Sequence, residues 1–214
     1  MLSTYRVAAT ADLHGYLPEV PRSDVLLVAG DVCPVSDHRL DSQRRWLEGP
    51  FADWLERTDA GAIVGIAGNH DFVAEADPGL MRSLPWTYLC DESAEVGGLV
   101  VHGSPWTPTF REWAFMRDEA ELERVWARIP DDADLVVTHG PPLGHGDLVV
   151  DGRHAGSASL ARRLAELARL RLHVFGHIHE SYGSRTRLGA AVLANVSYVD
   201  FDYRPALPVV VFDL

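Results

Sequence analysis

No lysine occurs among the 214 residues; all 19 basic side chains are arginine. That absence excludes a Walker A phosphate loop, a Schiff-base amine and a serine–lysine dyad together. Cysteine is almost as scarce. Cys33 and Cys90 lack a CxxC spacing, so neither a disulfide framework nor a zinc knuckle is expected, and both read as small buried hydrophobes. No apolar run is long enough to span a bilayer, and Met1 to Thr10 carries one cation, Arg6, with no apolar leader segment. A cytoplasmic location is expected. Positive charge is also short: 31 acids against 19 bases give a formal net charge of -12. This argues against general binding to nucleic acid or to an anionic membrane, so a phosphate-bearing substrate would have to be captured locally.

Hydrophobic residues make up 47% and charged residues 23%, ordinary values for a folded protein. No repeat, low-complexity tract or Pro/Gly/Ser linker divides the chain, which reads as a single domain over residues 1–214. Short Val/Leu/Ile/Ala runs bounded by Gly, Asp or His predict buried strands at Tyr5 to Thr10, Val25 to Ala29, Ala62 to Ile66, Leu135 to Thr138 and Leu172 to Phe175. Helical spacing joins Trp46, Leu47, Phe51, Trp54 and Leu55, and again Leu122, Val125, Trp126 and Ile129. A third helix is predicted from the N-cap Ser157 through Leu160, Leu164 and Leu167, with Arg162 and Arg163 facing out. A second group of strands is expected at Tyr88 to Cys90, Leu99 to His102, Ala191 to Asn195 and Val209 to Phe212, with Gly97-Gly98 as a hairpin turn. The alternation of strands and helices predicts an α/β fold with mixed β-sheets flanked by helices.

The polar residues fall where the predicted strands end. Asp12-Leu13-His14 follows the first strand, Gly30-Asp31 the second and Gly68-Asn69-His70-Asp71 the third. Thr138-His139-Gly140 and Gly176-His177-Ile178-His179 follow the next two. Ligands of open α/β sheets gather beyond the carboxyl ends of strands, so five such clusters are expected to converge. Carboxylates, an amide oxygen and imidazoles together suit divalent Mn, Fe, Co or Zn. The pairs Asp12/His14 and His177/His179 sit at i, i+2, and on extended backbone that spacing would let each pair grip a metal jointly.

The ordered pattern DxH, GD, GNH, an isolated His and GHxH over residues 12 to 179 resembles the calcineurin-like metallophosphoesterase family. The resemblance implies two sheets packed as a sandwich and flanked by helices, four layers in all. It implies one divalent metal on Asp12, His14, Asp31 and His179, and a second on Asp31, Asn69, His139 and His177, with Asp31 bridging; manganese is the expected choice in vitro. Such a pair, about 3.5 to 4 Å apart, shares a hydroxide that attacks phosphorus in line. The resemblance also makes His70 the general acid that protonates the leaving oxygen. Gly103-Ser104-Pro105-Trp106-Thr107-Pro108, Trp113-Ala114-Phe115 and the stretch His173 to Glu180 are similar to a narrower branch, the animal brain metallophosphoesterase-domain proteins and their bacterial relatives. That branch implies a phosphodiesterase acting on cyclic nucleotides or other small phosphodiesters. A phosphomonoesterase, a nuclease and a non-catalytic scaffold are the competing readings; the acidic balance disfavours the nuclease, and the intact ligand set disfavours the scaffold.

Some phosphoprotein phosphatases of the superfamily place a second Asp three residues after the metal-binding one, where this chain has Pro34, so His70 lacks that partner. Asp71 either orients an imidazole or caps a helix. Trp106, Phe110, Trp113 and Phe115, interleaved with Arg111 and Arg117, read chiefly as an insertion packed on the core or in a dimer, with base stacking as the alternative. His145, Asp147, Arg153 and His154 read chiefly as solvated loop residues, with contact to substrate as the alternative, and Asp131, Asp132 and Asp134 as a solvated turn. His38, His102 and His173 have no metal partner at useful spacing. The oligomeric state is left open, a homodimer included.

Overall fold

The computed structural model describes residues 4–214. The chain opens with β1 (Arg6–Thr10) and β2 (Ser23–Ala29), then runs through α1 (Leu40–Trp46), a π-helical turn (Leu47–Phe51) and α2 (Ala52–Arg57) into β3 (Ala60–Ile66). Helices α3 (Phe72–Ala76) and α4 (Pro78–Ser83) lead to β4 (Thr87–Tyr88) and the hairpin β5 (Glu92–Val96) and β6 (Leu99–Ser104). The short strands β7 (Thr107–Pro108) and β8 (Met116–Arg117), helix α5 (Glu119–Trp126), β9 (Leu135–Thr138) and α6 (Ala158–Glu166) follow. The series closes with β10 (Leu172–Phe175), β11 (Arg185–Leu188), β12 (Ala191–Asn195) and β13 (Val210–Asp213).

One sheet has the order β13-β1-β2-β3-β4 and another β11-β12-β10-β9-β6-β5. Both are parallel at heart, and antiparallel partners occupy edges: β13 beside β1, β11 beside β12 and β5 beside β6. Strands covered on both faces are mostly apolar, as β9 and β10 are, and their two buried polar side chains, Thr138 and His173, meet each other at 2.8 Å. Alternate residues of β1 serve different layers. Val7 and Ala9 face Val101, Val137 and Val174 of the other sheet, whereas Ala8 packs with Leu47, Phe51 and Trp54 beneath the helices of the first half. Across the second sheet, Val136, Phe175 and Leu193 meet Leu122, Trp126, Leu160 and Leu164 of α5 and α6. Each such fully covered Leu or Phe contributes roughly 1.5 to 3 kcal/mol. The result is the expected four-layer sandwich.

The five strands carrying polar clusters are divided between the two sheets: β1, β2 and β3 belong to the first and β9 and β10 to the second, while β4 and β13 join the first. Several expectations need correction. The helix expected across Trp46 to Leu55 is split by a π turn around Pro50, which has no N–H to continue the regular ladder. Arg163 does not face out; its side chain is mostly covered, donating to the Ile129 carbonyl and Asp131. Asp134 is buried rather than solvated, because its carboxylate accepts the Val100 N–H at 2.9 Å and pairs with Arg169 at 3.0 Å. Cys33 is buried and Cys90 half-buried, both free thiols. The Gly97-Gly98 hairpin and the Ser157 cap, which accepts the Leu160 N–H at 3.1 Å, stand as read. Among the described residues no helix is long and apolar enough to cross a membrane.

Candidate metal centre

The carboxyl ends of the parallel strands of both sheets open at the same end of the sandwich. Asp12 and His14 lie just past β1, Asp31 past β2, Asn69 and His70 past β3, His139 past β9, and His177 and His179 past β10. Hydrogen bonds between the sheets draw these loops together: the His139 Nδ1–H donates to the Ala29 carbonyl at 2.9 Å, and the His177 N–H donates to Asp12 Oδ2 at 3.0 Å. The first of these leaves His139 Nε2 as the ring nitrogen aimed at the centre.

Two clusters result. In one, ligand atoms of Asp12, His14 and His179 lie within 4.8 Å of one another; in the other, those of Asp12, Asp31 and His139 do. His14 Nε2 is 3.2 Å from His179 Nε2, and His179 Nε2 is 3.5 Å from Asp12 Oδ1. On the other side His139 Nε2 is 2.9 Å from Asn69 Oδ1 and 3.3 Å from Asp31 Oδ2. Asp12 is common to both clusters, and Asp31 Oδ2, 3.7 Å from His14 Nε2, also reaches towards the first. The two i, i+2 pairs behave differently, Asp12 and His14 sharing one cluster. His179 turns to Asp12 and His14, whereas the His177 ring lies 5.1 Å from that of His139, so this pair diverges to different clusters. The backbone is not extended there: Asp12, His14, Asp31 and His177 have φ of 53°, 45°, 54° and 69°. Non-glycine residues in this left-handed region cost of order 1 to 3 kcal/mol each, and such strain collects where function holds it.

Electrostatics agrees with the donor chemistry. Burial pushes the Asp12 carboxyl up, but His179 beside it outweighs that and holds it at about 2. Burial likewise opposes ionisation of Asp31, and His139 and His70 nonetheless keep it well below the usual carboxylate range. Burial pulls His14 and His177 down to about 3, so both present neutral lone pairs. His139 goes the other way: burial would lower it, yet the adjoining Asp31 raises it to about 9. Ionised carboxylates, imidazole nitrogens and the Asn69 amide oxygen, facing one another in a buried site, fit a centre that takes divalent cations.

A supporting shell was not legible in the sequence. Ser197 Oγ donates to Asp12 Oδ2 at 2.5 Å, and Gln43 Nε2 donates to the His70 carbonyl at 2.6 Å. Asp71 neither orients an imidazole nor caps α3 with its side chain; it accepts the N–H groups of Cys33 and Gly68 at 2.9 and 2.8 Å, tying two ligand loops together. Gly176 must lack a side chain, since a Cβ there would overlap Asp12 Oδ2 and stand 2.6 Å from Ala11 Cβ.

The centre lies at the base of a cavity of about 450 Å³, a size typical of small-molecule sites. The aromatic stretch divides. Phe115 is buried with Trp106 against it, ring centroids 5.3 Å apart, as the packing reading expects, while Phe110, Arg111 and Trp113 line the cavity. Tyr203 and Phe201, which carried no motif, form the opposite wall, and the Tyr203 ring lies 4.9 and 5.0 Å from those of His14 and His179. Arg153 and His154 also line it, but Asp147 is buried and structural, accepting from His154, Gly144 and Gly156, while His145 contacts Thr186 Oγ1 at 2.8 Å. His102 and His173 are buried beside Ser93 and Thr138, away from the centre. The His38 Nε2 lies 3.0 Å from Nδ1 of His70, a residue outside the expected ligand set.

A four-layer sandwich with a candidate two-metal site at the ends of its parallel strands is the arrangement of a metallophosphoesterase. The chain belongs to the calcineurin-like phosphoesterase family, whose model matches residues 5–181. It is 31% identical over 239 aligned residues to human metallophosphoesterase domain-containing protein 1, covering 98% of this chain and 71% of that protein. A UPF0046 protein of Caenorhabditis elegans is 29% identical, with 94% and 76% covered. The fold is shared with a dimetal phosphatase of Danio rerio at a TM-score of 0.58 and 12% identity, over 98% of this chain and 95% of that one.

Proposed function

We propose that this phosphoesterase is a phosphodiesterase for small phosphodiesters, cyclic nucleotides among them. Two divalent cations supply Lewis acidity and a water ionised near neutral pH. Asp12, His14, Asp31 and His179 would hold one, and Asp31, Asn69, His139 and His177 the other. The remaining steps belong to the chain. His70 lines the cavity beside the clusters, and its ring is the group placed to hand a proton to the departing oxygen. Trp113 packs edge-on against that ring with centroids 4.0 Å apart and keeps water from one of its faces.

The observation that carries the diester reading is the wall of the cavity. Phe110, Trp113, Phe201 and Tyr203 offer apolar surface for organic groups on phosphorus, whereas the cavity's arginines are two, Arg111 and Arg153. Arg111 rests over the Phe110 and Trp113 rings, and Arg153 is paired with Asp151 at 2.7 Å. A diester brings two organic groups and a single charge, and that balance suits such a lining better than a monoester dianion does.

The test is to strip the protein of metal, restore Mn, and compare bis-p-nitrophenyl phosphate with p-nitrophenyl phosphate, with Asp31→Asn as control. Metal-dependent diester turnover that collapses in Asp31→Asn is expected, since the carboxylate shared by both cations loses its charge and one of its two oxygens. Preference for the monoester would overturn the assignment in favour of a phosphatase.

A further inference from the structure

The geometry points to His38 as the positioning residue of His70, the side chain that decides which nitrogen of the His70 ring faces the substrate. This rests on the reading of His70 as the acid for the leaving oxygen. It adds a residue that neither the motif pattern nor the ligand clusters contain.

The backbone of His70 is pinned on both sides, its N–H donating to Asp31 Oδ1 at 2.7 Å and its carbonyl accepting from Gln43 Nε2 at 2.6 Å. Those bonds fix where the ring begins, not how it is turned. Trp113 at 4.0 Å and His14 at 5.0 Å between centroids confine its plane, but packing cannot distinguish an imidazole from the same ring flipped by 180°. The flip exchanges nitrogen and carbon positions of nearly equal size. Only a polar partner tells them apart, and among the described residues the His70 ring has one: His38 Nε2, 3.0 Å from Nδ1. With Nδ1 so engaged, Nε2 is the nitrogen left for the cavity. In the flipped ring a C–H would meet His38, and the hydrogen bond would be lost.

No carboxylate competes for the task. The position three residues after Asp31 is Pro34, and Asp71 is committed to the N–H groups of Val32, Cys33 and Gly68. His38 itself stands on a braced turn ahead of α1. Asp37 accepts the Arg39 N–H at 3.0 Å and pairs with its guanidinium at 2.7 Å, while the His38 ring rests against Phe72 at 5.1 Å. The loop after β2 therefore gives Asp31 to the metal clusters and, seven residues on, His38 to the acid.

The experiment uses Mn-loaded wild type, His38→Ala, His70→Ala and the double variant on methyl aryl phosphate diesters of graded leaving-group basicity. His38→Ala should lose on the order of tenfold in kcat on the most basic leaving group and little on p-nitrophenolate. Its effect should vanish in the His70→Ala background. Added imidazole should restore part of the loss, which a general weakening of the fold would not permit. In zinc-loaded protein, the ¹⁵N signal of His70 Nδ1 should lose its hydrogen-bonded position in His38→Ala. Active wild type with equal losses across leaving groups, or additive losses in the double variant, overturns the role of His38 alone. A wild type inert on every diester overturns the functional reading and this proposal with it.

Discussion

Replacing Ser197 by Ala removes a single hydroxyl from behind the metal clusters. In the folded chain that hydroxyl donates to Asp12 Oδ2 at 2.5 Å, and the Ser197 backbone is held independently by the Asn195 side chain at 3.0 Å, so the substitution deletes one bond without displacing the chain. A hydrogen bond to a buried carboxylate contributes about 1.5 to 3 kcal/mol. At about 1.4 kcal/mol per decade this corresponds to roughly 10- to 100-fold in metal affinity, the usual scale for a partner of a ligating carboxylate. The His177 N–H still reaches Asp12, so the ligand is loosened rather than lost. On the proposed assignment, titrating stripped protein with Mn should show the transition of the Asp12–His14–His179 cluster moved by that factor. Diester turnover at saturating Mn should stay within about threefold of wild type, because no group in contact with substrate has changed. A variant titration that overlays the wild-type curve would refute the reasoning, as would lost turnover that saturating metal does not restore.

Loading should expel protons: Asp31 holds His139 protonated up to about 9, and Asp12 outweighs burial to raise His179 as well, so at pH 7.5 at least about one proton per chain leaves as metal enters. Calorimetry in buffers of different ionisation heat measures this, and equal heats in all buffers would contradict it. Burial depresses His102 to about 4 and His173 to about 3, below the ordinary 6.5, so between those values the unfolded chain binds protons the folded one refuses. Stability should thus be complete above pH 6.5 and fall with acid by up to about 1.4 kcal/mol per pH unit for each histidine. Urea melts of His173→Gln should show a shallower decline from pH 6.5 to 4.5; an unchanged slope would exclude His173 as a source. Gly176→Ala should keep its far-ultraviolet circular dichroism yet lose Mn at the Asp12 cluster, since the new Cβ overlaps the Asp12 carboxylate. Wild-type Mn stoichiometry in that variant would contradict the packing account.

Much of this was legible because a strand buried on both faces must change abruptly to polar residues where it ends. Asp12, Asp31, Asn69, His139 and His177 all stand at such a change. Spacing along one segment carried no information about which of the two sheets the segment would join, so the division of the five strands between them was not legible. Ser197, Gln43, Tyr203 and His38 could not be found for a related reason: each is a lone residue whose importance comes from a partner distant in sequence, such as Asp12 for Ser197. Acids in polar loops misled in the opposite direction. Asp134 and Asp147 look solvated by composition, but unpaired backbone N–H groups at Val100, Gly144 and Gly156 draw their carboxylates inside. The edge strands β5 and β11 bear charged side chains that hide an apolar pattern, as edges exposed to other chains generally do.

Each cluster takes donors from both sheets: Asp12 and His14 meet His179 in one, Asp12 and Asp31 meet His139 in the other. The first half of the chain alone therefore presents an unfinished claw, and the second half alone presents imidazoles with no acid between them. On the proposed assignment neither half should take up an ion tightly before the two have docked, and a tightly held ion would report that they have. A chain cut anywhere between the Asn69 loop and His139 should remain metal-free as separate fragments and regain its ions only on reassembly.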